Sequence, residues 1–483
     1  MIDPQLPFEG APDRTPLVVD VDGTLICSDL LYESALQLIA TQPWNTWKLA
    51  TWLAGGKASL KQNLVETTDP HIATIPLREE TVAYIAAAKA EGRPVWLASA
   101  SDKSWVEQIA ARIDGIDGVM GSDGVTNLAG PNKAKALVER FGHKGFDYIG
   151  DHHVDMPVWD AARRAILVAQ SSSLERAVKR RFADAEVIAR PRTAIRPYFK
   201  AMRPYQWAKN ALVFLPAIAG HSIGEFSVLL AAFMAFWAFS FAASSAYIIN
   251  DLLDLPGDRD HHRKRNRPFA AAQIPIPRGI AMAGGLMTLA IVIAALLPLE
   301  FLGILLGYVV ITLAYSFYLK RQMLVDVIIL GGLYTIRVLG GIAATGEEKS
   351  QWLLMFCLFF FLSLAIVKRC SELVARRDAG KSSPPGRGYA INDLAMLLPL
   401  GAAAGYASVM VVMLYLSSPQ ITALYAHPLR MWLICPLLIY WISRTLMLAN
   451  RNEMHDDPII FAMTDKISWL TGVVAAAIIA VSI

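Results

Sequence analysis

The stretch "NDLLDLPGDRDHHRKRNRPFA" (250–270) sets four aspartates among five Arg or Lys residues, between two long apolar runs. A single Asp at a bilayer centre costs roughly 2.5–3.5 kcal/mol, so Asp251, Asp254, Asp258 and Asp260 belong at an interface or along a polar cavity. Asn250 and Asp254 are four residues apart and share a helix face. Pro256-Gly257 is expected to end the helix and let Asp258 fold back toward them. Hard oxygen ligands clustered in this way suit Mg²⁺, which keeps several waters and completes its shell with substrate phosphate oxygens. Arg263, Lys264 and Arg267 would hold the phosphate oxygens that the metal leaves over. Both charge signs in one loop thus point to a metal-bound polyphosphate rather than to a solvated turn. A second acidic pair stands in "PLVVDVDGTLICSDLL" (16–31), where Asp20 and Asp22 follow a buried strand. The C-terminal end of a strand is where α/β sheets bind ligands, although two carboxylates alone also fit a turn with an Asp cap.

These residues need elements to hold them. At 483 residues the chain has room for two or more domains. From Met1 to about Pro197 it reads as a soluble α/β sequence. The rest consists of apolar stretches of roughly 17 to 25 residues, the length that crosses a bilayer core. Nine spans are expected, near 208–220, 226–249, 279–297, 301–318, 323–345, 352–367, 394–416, 429–447 and 467–483. The opening "MIDPQLPFEGAPDR" has no apolar core and does not read as a signal peptide, so the first domain is expected in the cytosol. Loops 250–278, 319–322, 368–393 and 448–466 would then face the same side. With Arg444 they carry seventeen Lys or Arg, against Lys349 and Arg430 on the opposite loops. That asymmetry is what the positive-inside rule asks for. The net charge of +4 therefore has a membrane explanation and makes no case for nucleic acid. Cys27, Cys357, Cys370 and Cys435 form no CxxC pair, which suggests neither a disulfide framework nor a zinc site.

The string Asn250-Asp251-x-x-Asp254-x-x-x-Asp258, at the end of the second span, resembles the first Asp-rich motif of the UbiA superfamily of intramembrane prenyltransferases. The resemblance covers about residues 200–483 and implies an all-α polytopic domain in which this motif binds the Mg²⁺-diphosphate of a prenyl donor. A second DxxxD motif follows the sixth span in most members. The corresponding loop here, "KRCSELVARRDAGKSSPPGRGY" (368–389), has Glu372 and Asp378 but no DxxxD, which argues against a two-metal site for a prenyl diphosphate. "RPYQWAKN" (203–210), the stretch 250–274, "YSFYLKRQMLVDV" (315–327), "KRCSEL" (368–373), "RGY" (387–389) and "DDPI" (456–459) are together similar to motifs of the decaprenyl-phosphate phosphoribosyltransferase branch. There the donor is phosphoribosyl pyrophosphate and the acceptor a polyprenyl phosphate. This resemblance implies Asn250, Asp251, Asp254 and Asp258 as Mg²⁺ ligands. It implies Lys209, Arg263, Lys264, Arg267, Lys320, Lys368, Arg369, Glu372, Arg387 and Tyr389 as substrate-binding residues. Tyr247, Tyr315 and Tyr389 read equally as interface aromatics. "LGGIAATG" (339–346) reads first as close helix packing and second as room for a lipid tail.

Three further pieces accompany Asp20 and Asp22. "RPVWLASAS" (93–101) is a buried strand ending in Ser99, "NKAKALVERFG" (132–142) puts Lys133 on a helix, and "FDYIGDHHVDMPVWDAA" (146–162) is a strand followed by Asp151 and Asp155. In order they resemble the four motifs of haloacid-dehalogenase (HAD) phosphatases, over about 14–185, and are most similar to the phosphoserine-phosphatase branch. The resemblance implies a Rossmann-like α/β domain in which Asp20 is the nucleophile that forms an aspartyl-phosphate. It makes Asp22 the general acid and base, with Ser99 and Lys133 on the phosphate and Asp20, Asp151 and Asp155 around Mg²⁺. His152 and His153 read as a solvated loop. Residues 28 to about 90 are expected to be mostly helical, with "NTWKLATWLAGGKASLKQ" (45–62) amphipathic and rich in Trp, and to form either a cap over the phosphatase site or a surface that touches the membrane. Residues 168–193 should finish the sheet and become a basic connector that favours an anionic leaflet.

The expected organisation is a HAD-like domain, 1–195, and a nine-helix UbiA-like membrane domain, 196–483. The expected function is a bifunctional enzyme of a bacterial inner membrane, active on its cytosolic side. The membrane domain would join phosphoribose to a polyprenyl phosphate, and the HAD domain would remove the 5-phosphate to give polyprenyl-phosphoryl-ribose for envelope glycan synthesis. A lipid phosphate is already an anion at neutral pH, so positioning would be the larger part of that transfer. An isoprenoid transfer to an aromatic acceptor, with a regulatory HAD domain, is the alternative. A homo-oligomeric state stays open.

Overall fold

The computed structural model describes residues 14–123, 127–190, 194–380, 388–419, 427–454 and 457–482, without the side chains of Lys57 and Ala58. The chain divides into two compact units. One combines the residues up to Ala201 with Asp251–Ala281, and the other combines Met202–Asn250 with Met282–Ile483.

In the first unit, strands β1 (Leu17–Val19), β2 (Val95–Asp102), β3 (Gly118–Ser122), β4 (Asp147–Gly150), β5 (Ala165–Val168) and β6 (Glu186–Ala189) form one parallel sheet in the order β3-β2-β1-β4-β5-β6. β1 is apolar at every position because both faces of the sheet are covered. Leu17 and Val19 enter one core with Leu97, Ile149 and Ile166. Val18 enters the other with Ala98, Tyr148 and Leu167. Strand order runs outward from β1 in both directions, so β1 and β4 flank the point where it reverses, which is where open α/β sheets form their ligand crevice. Val19 pairs with Leu97 on one side and Ile149 on the other, which sends Asp20, Ser99 and Asp151 out of the same edge.

Residues 28–90 are mostly helical. Helices Leu30–Thr41, Trp47–Ala54 and Lys57–Thr67 follow β1 in the chain. Helix Glu79–Ala90 belongs to the layer on the sheet, because Ile85 and Ala88 are buried in its core. The tail of the domain is more regular than a connector: helix Ser172–Arg181 leads into β6, which pairs with β5.

The second unit is helical. Among the described residues, seven helices are long and apolar enough to cross a membrane: Phe226–Leu253, Ile276–Ala295, Leu299–Phe317, Val325–Thr345, Gln351–Asp378, Ile391–Leu416 and Pro428–Asn450. Pro458–Thr464 and Lys466–Ser482, bent by 79°, make an eighth if counted as one broken span. Of the nine expected spans, the one near 208–220 is not such a helix. Pro204–Phe214 is a 3₁₀ segment and Leu215–Ala219 a helix of five residues. The small-residue run 339–346 serves close packing: a Cβ on Gly340 would lie 2.5 Å from the Phe239 ring, and one on Gly341 would lie 2.3 Å from the Val213 carbonyl.

Candidate functional site

At the C-terminal edge of β1 and β4, the carboxylates of Asp20, Asp151 and Asp155 offer oxygens that all lie within 4.8 Å of one another, and all three are buried. Among the described residues this is the one group of three or more His, Cys, Asp or Glu arranged to hold a metal ion. Lys133, at the start of helix Pro131–Phe141, places Nζ 2.6 Å from Asp20 Oδ1 and 3.8 Å from Asp155 Oδ1. It also donates to the Tyr148 hydroxyl at 3.0 Å, which in turn donates to Asp155 Oδ1 at 3.0 Å. The backbone N–H groups of Asp151 and His152 donate to Asp155 Oδ2.

Burial raises the Asp20 carboxyl to about 7, with Lys133 opposing the shift and Asp155 and Asp22 adding to it. Burial and the charges of Asp20 and Asp155 push Asp151 up as well. Three buried carboxylates facing one lysine carry an excess of negative charge that a divalent cation would relieve, and an all-oxygen donor set is what Mg²⁺ takes. Gly23 closes the turn with φ +74°, and a Cβ there would lie 2.1 Å from Asp151 Oδ2. Only glycine lets the chain pass that close in a left-handed conformation.

Asp22 takes its hydrogen bonds from outside this cluster. Its Oδ1 accepts the N–H of Leu30, and its Oδ2 accepts the hydroxyls of Ser99 at 2.9 Å and Ser101 at 2.7 Å. Ser99 is therefore brought to Asp22, not to Asp20. Asp29 caps the same helix start by accepting from Leu31 N, and burial with the neighbouring Asp22 raises its carboxyl to about 6. Sequence reasoning missed Thr24, which donates to Asp20, and Gln170, which donates to Asp151 at 3.0 Å. It also missed Tyr148 and Ser101. The period of two along a strand was a signal for Ser101, since it shares a face with Ser99. His152 and His153 are exposed.

The Asp-rich loop is built differently from the expectation. The long helix stops at Leu253, and Pro256-Gly257 lie inside a second, six-residue helix, Leu255–Asp260, with Asp254 at its N-cap. Pro256 stands in the first turn, where its missing N–H has no helical partner to lose. The break thus falls at Asp254, two residues before Pro256. Asp251 and Asp258 are buried and converge on Arg267, whose guanidinium donates to Asp251 Oδ1 at 3.0 Å and Asp258 Oδ2 at 2.6 Å. Lys264 Nζ lies 3.6 Å from Asp258, and Arg263 is exposed. Asn250 belongs to the second unit and Asp251 to the first.

Inside the helical unit, Lys209 and Lys368 meet on a single carboxylate. Their Nζ atoms lie 2.7 and 2.9 Å from Asp457 Oδ2, and the Tyr334 hydroxyl donates to the same group at 3.2 Å. Arg337 is buried beside them, 5.7 Å from the Tyr334 ring centroid, and donates to Asn210 at 2.8 Å and to the Tyr308 hydroxyl at 3.0 Å. Three cations around one carboxylate leave this cluster positive. Asp457, Tyr334, Arg337 and Asn210 were not singled out from the sequence. "DDPI" contained Asp457, but nothing local pairs it with lysines some 90 and 250 positions away.

Arg369 is fully buried, with Nε 2.9 Å from Asp326 Oδ2 and a further bond to Glu372, so it braces helices Val325–Thr345 and Gln351–Asp378. The Tyr389 hydroxyl accepts from Leu324 N at 2.9 Å. Lys320 lies half-buried in the turn Leu319–Arg321. Arg387 lies outside the described residues.

Comparison with known proteins gives two family matches, the UbiA prenyltransferase family over residues 211–480 and haloacid dehalogenase-like hydrolase over residues 17–160. The protein y4nM of Sinorhizobium fredii is 35% identical over 468 residues, which is 96% of this chain and 90% of that one. A decaprenyl-phosphate phosphoribosyltransferase of Mycolicibacterium smegmatis is 35% identical over 219 residues, 44% of this chain and 69% of the relative. Among solved structures, a UbiA homologue from Archaeoglobus fulgidus bound to DMAPP and Mg²⁺ aligns with 59% of this chain and 99% of its own, at 19% identity and a TM-score of 0.46.

Proposed function

The chain belongs to the UbiA prenyltransferase family and carries an N-terminal haloacid dehalogenase-like domain, and from that premise we propose that it is a two-centre enzyme making polyprenyl-phosphoryl-ribose. In the first reaction, a phosphate oxygen of the lipid attacks the anomeric carbon of phosphoribosyl pyrophosphate. The carbon–oxygen bond to pyrophosphate breaks, and pyrophosphate leaves with the electron pair. In the second, water replaces the ester oxygen on the 5-phosphate, releasing inorganic phosphate and leaving a free 5-hydroxyl on the lipid-linked ribose.

The observation that carries the choice of donor is the pair of acidic motifs. Asn250, Asp251, Asp254 and Asp258 are all present, while the loop 368–389 has no DxxxD and holds mostly cations. The 35% identity to a phosphoribosyltransferase supports the same choice. Asn250, Asp251, Asp254 and Asp258 would hold Mg²⁺. When bound, Mg²⁺ would stabilise charge on the leaving pyrophosphate and, among Asp20, Asp151 and Asp155, on the transferring phosphoryl group. Lys209, Lys264, Lys320 and Lys368 offer ammonium groups for phosphate oxygens, and Arg263, Arg267 and Arg387 offer guanidinium groups.

In the phosphatase centre, Asp20 attacks phosphorus, and Lys133 holds it and a phosphate oxygen together. Asp22 gives a proton to the departing hydroxyl and takes one from the water that cleaves the aspartyl-phosphate. Ser99 and Ser101 hold Asp22 in place for both transfers. The reaction belongs on the cytosolic side of an inner membrane, where the basic loops also belong.

The test uses purified protein and its Asp20→Asn variant with Mg²⁺, phosphoribosyl pyrophosphate and a polyprenyl phosphate, with lipid products weighed by mass spectrometry. The expected result is dephosphorylated lipid-linked ribose from the wild type and its 5-phosphate from the variant. A phosphorylated lipid from both would assign the soluble domain another substrate. No ribosylated lipid from either would overturn the donor and favour isoprenoid transfer to an aromatic acceptor.

A further inference from the structure

Helix Trp47–Ala54 contains two tryptophans, two leucines and two alanines among its eight residues, yet none of its residues is buried. Trp47 is 64% exposed and Leu53 53%, and Trp44 on the preceding turn is 90% exposed. This is no frayed end of the chain. The neighbouring helices Leu30–Thr41 and Lys57–Thr67 are anchored through Leu38 and Leu64, both fully buried. The fold therefore fixes an apolar surface and leaves it facing solvent, which marks an interaction site rather than a packing accident.

Two observations say what covers it. From Ser34 to Val65 the sequence contains Lys48, Lys57 and Lys61 and no Asp or Glu, although charged residues of both signs are common elsewhere in the domain. Tryptophan with lysine and no acid is the composition of a segment lying in the headgroup layer of an anionic bilayer. In addition, the chain passes three times between this unit and the helical one, at 201–202, 250–251 and 281–282, and the long apolar helices Phe226–Leu253 and Ile276–Ala295 each run through one of those passages. Those connections join the unit covalently to helices long and apolar enough to cross a membrane.

We propose that residues 44–53 form a lipid-docking surface, with Trp44, Trp47 and Leu53 inserted at the interface of an anionic bilayer and Lys48 on its headgroups. The domain that carries the phosphatase centre is then attached to the membrane by its own cap as well as by its covalent connections. A phosphate monoester displayed on a lipid would be reached without leaving the bilayer plane.

Full-length protein carrying Leu53→Cys, in a Cys27→Ser background, is labelled with bimane and placed in nanodiscs of phosphatidylethanolamine and phosphatidylglycerol. The expected result is quenching by lipids brominated on the acyl chain and protection from aqueous iodide. Iodide quenching without lipid quenching would overturn the proposal, and so would protection from both, which would mean that protein covers the patch. This readout needs neither enzymatic activity, so its failure is distinct from failure of the proposed reactions. As a second measurement, Trp44→Ala/Trp47→Ala/Leu53→Ala should lower phosphatase kcat/KM on a phosphate monoester held in vesicles about tenfold, the loss expected from removing large inserted side chains. The rate on water-soluble p-nitrophenyl phosphate should stay unchanged. A fall of the same size on both substrates, or a rate unchanged from wild type on both, would overturn the proposal.

Discussion

The guanidinium of Arg259 donates to both oxygens of Glu33, at 2.6 and 3.2 Å, with side chains only 6% and 5% exposed. Glu33 also accepts the Ser28 hydroxyl and stands in the first turn of the helix whose Leu30 N–H holds Asp22. Arg259 comes from the short helix that carries Asp258. One buried ion pair thus joins the element that orients Asp22, the proposed acid/base, to an Asp-rich element more than 200 residues away.

Removing one partner of this pair should leave a buried charge unmatched, a loss of about 3–5 kcal/mol. Arg259→Met or Glu33→Leu alone should sharply increase hydrogen exchange in helix Leu30–Thr41, and the double variant should restore most of the protection. Equal exchange in all three variants would show that the pair contributes nothing.

Lys133→Met removes the cation paired with Asp20 and Asp155. Hydrolysis of a soluble phosphate monoester should fall at least about a hundredfold, since a charge-assisted bond at the reacting group is lost. Tyr148→Phe, which removes only the hydroxyl between Lys133 and Asp155, should cost less, near tenfold by the size of one hydrogen bond to a charged group.

The pH dependence of stability should reverse the usual carboxylate pattern when metal is chelated. Asp20 is raised from 3.8 to about 7, so the folded state binds its proton more tightly than the unfolded chain. That contribution is full below pH 3.8 and is lost as pH rises through about 7. With EDTA the melting temperature of the sheet domain should therefore fall between these values. Mg²⁺ should restore it, with the larger effect at the higher pH. A Mg²⁺ shift of equal size at pH 5 and pH 8 would contradict the assignment of Asp20, Asp151 and Asp155.

Asp457 holds Lys209 and Lys368 together. Lys368→Gln should raise the KM for phosphoribosyl pyrophosphate about tenfold or more, the range for a hydrogen bond to a charged group. Asp457→Asn should also impair transfer by letting the two ammonium groups separate. Unchanged KM in Lys368→Gln would remove Lys368 from the donor site.

Much of the buried carboxylate cluster was legible because its parts are local. Asp20, Ser99 and Asp151 each follow a run of buried strand residues, and a parallel sheet brings the ends of such runs to one edge. Tyr148 and Gln170 were not legible, since an inward polar residue looks like any other core position until its partner is known. The membrane helices could be read from length and hydropathy, but the segment 208–220 was misjudged because composition does not distinguish a long helix from a 3₁₀ turn followed by a short one.

What the sequence by itself determined is the division into a strand-forming half and an apolar helical half, together with the oxygen-rich motifs that each presents. Those follow from residue type, periodicity and spacing along the chain. Only the tertiary structure decided which charges meet: that Ser99 goes to Asp22, that Arg267 occupies Asp251 and Asp258, that Arg369 is bound by Asp326, and that two lysines share Asp457. The reason is physical. A buried charge is tolerated only with a partner, and the partner is chosen by which distant segments the packed fold brings within about 3 Å, the reach of a hydrogen bond.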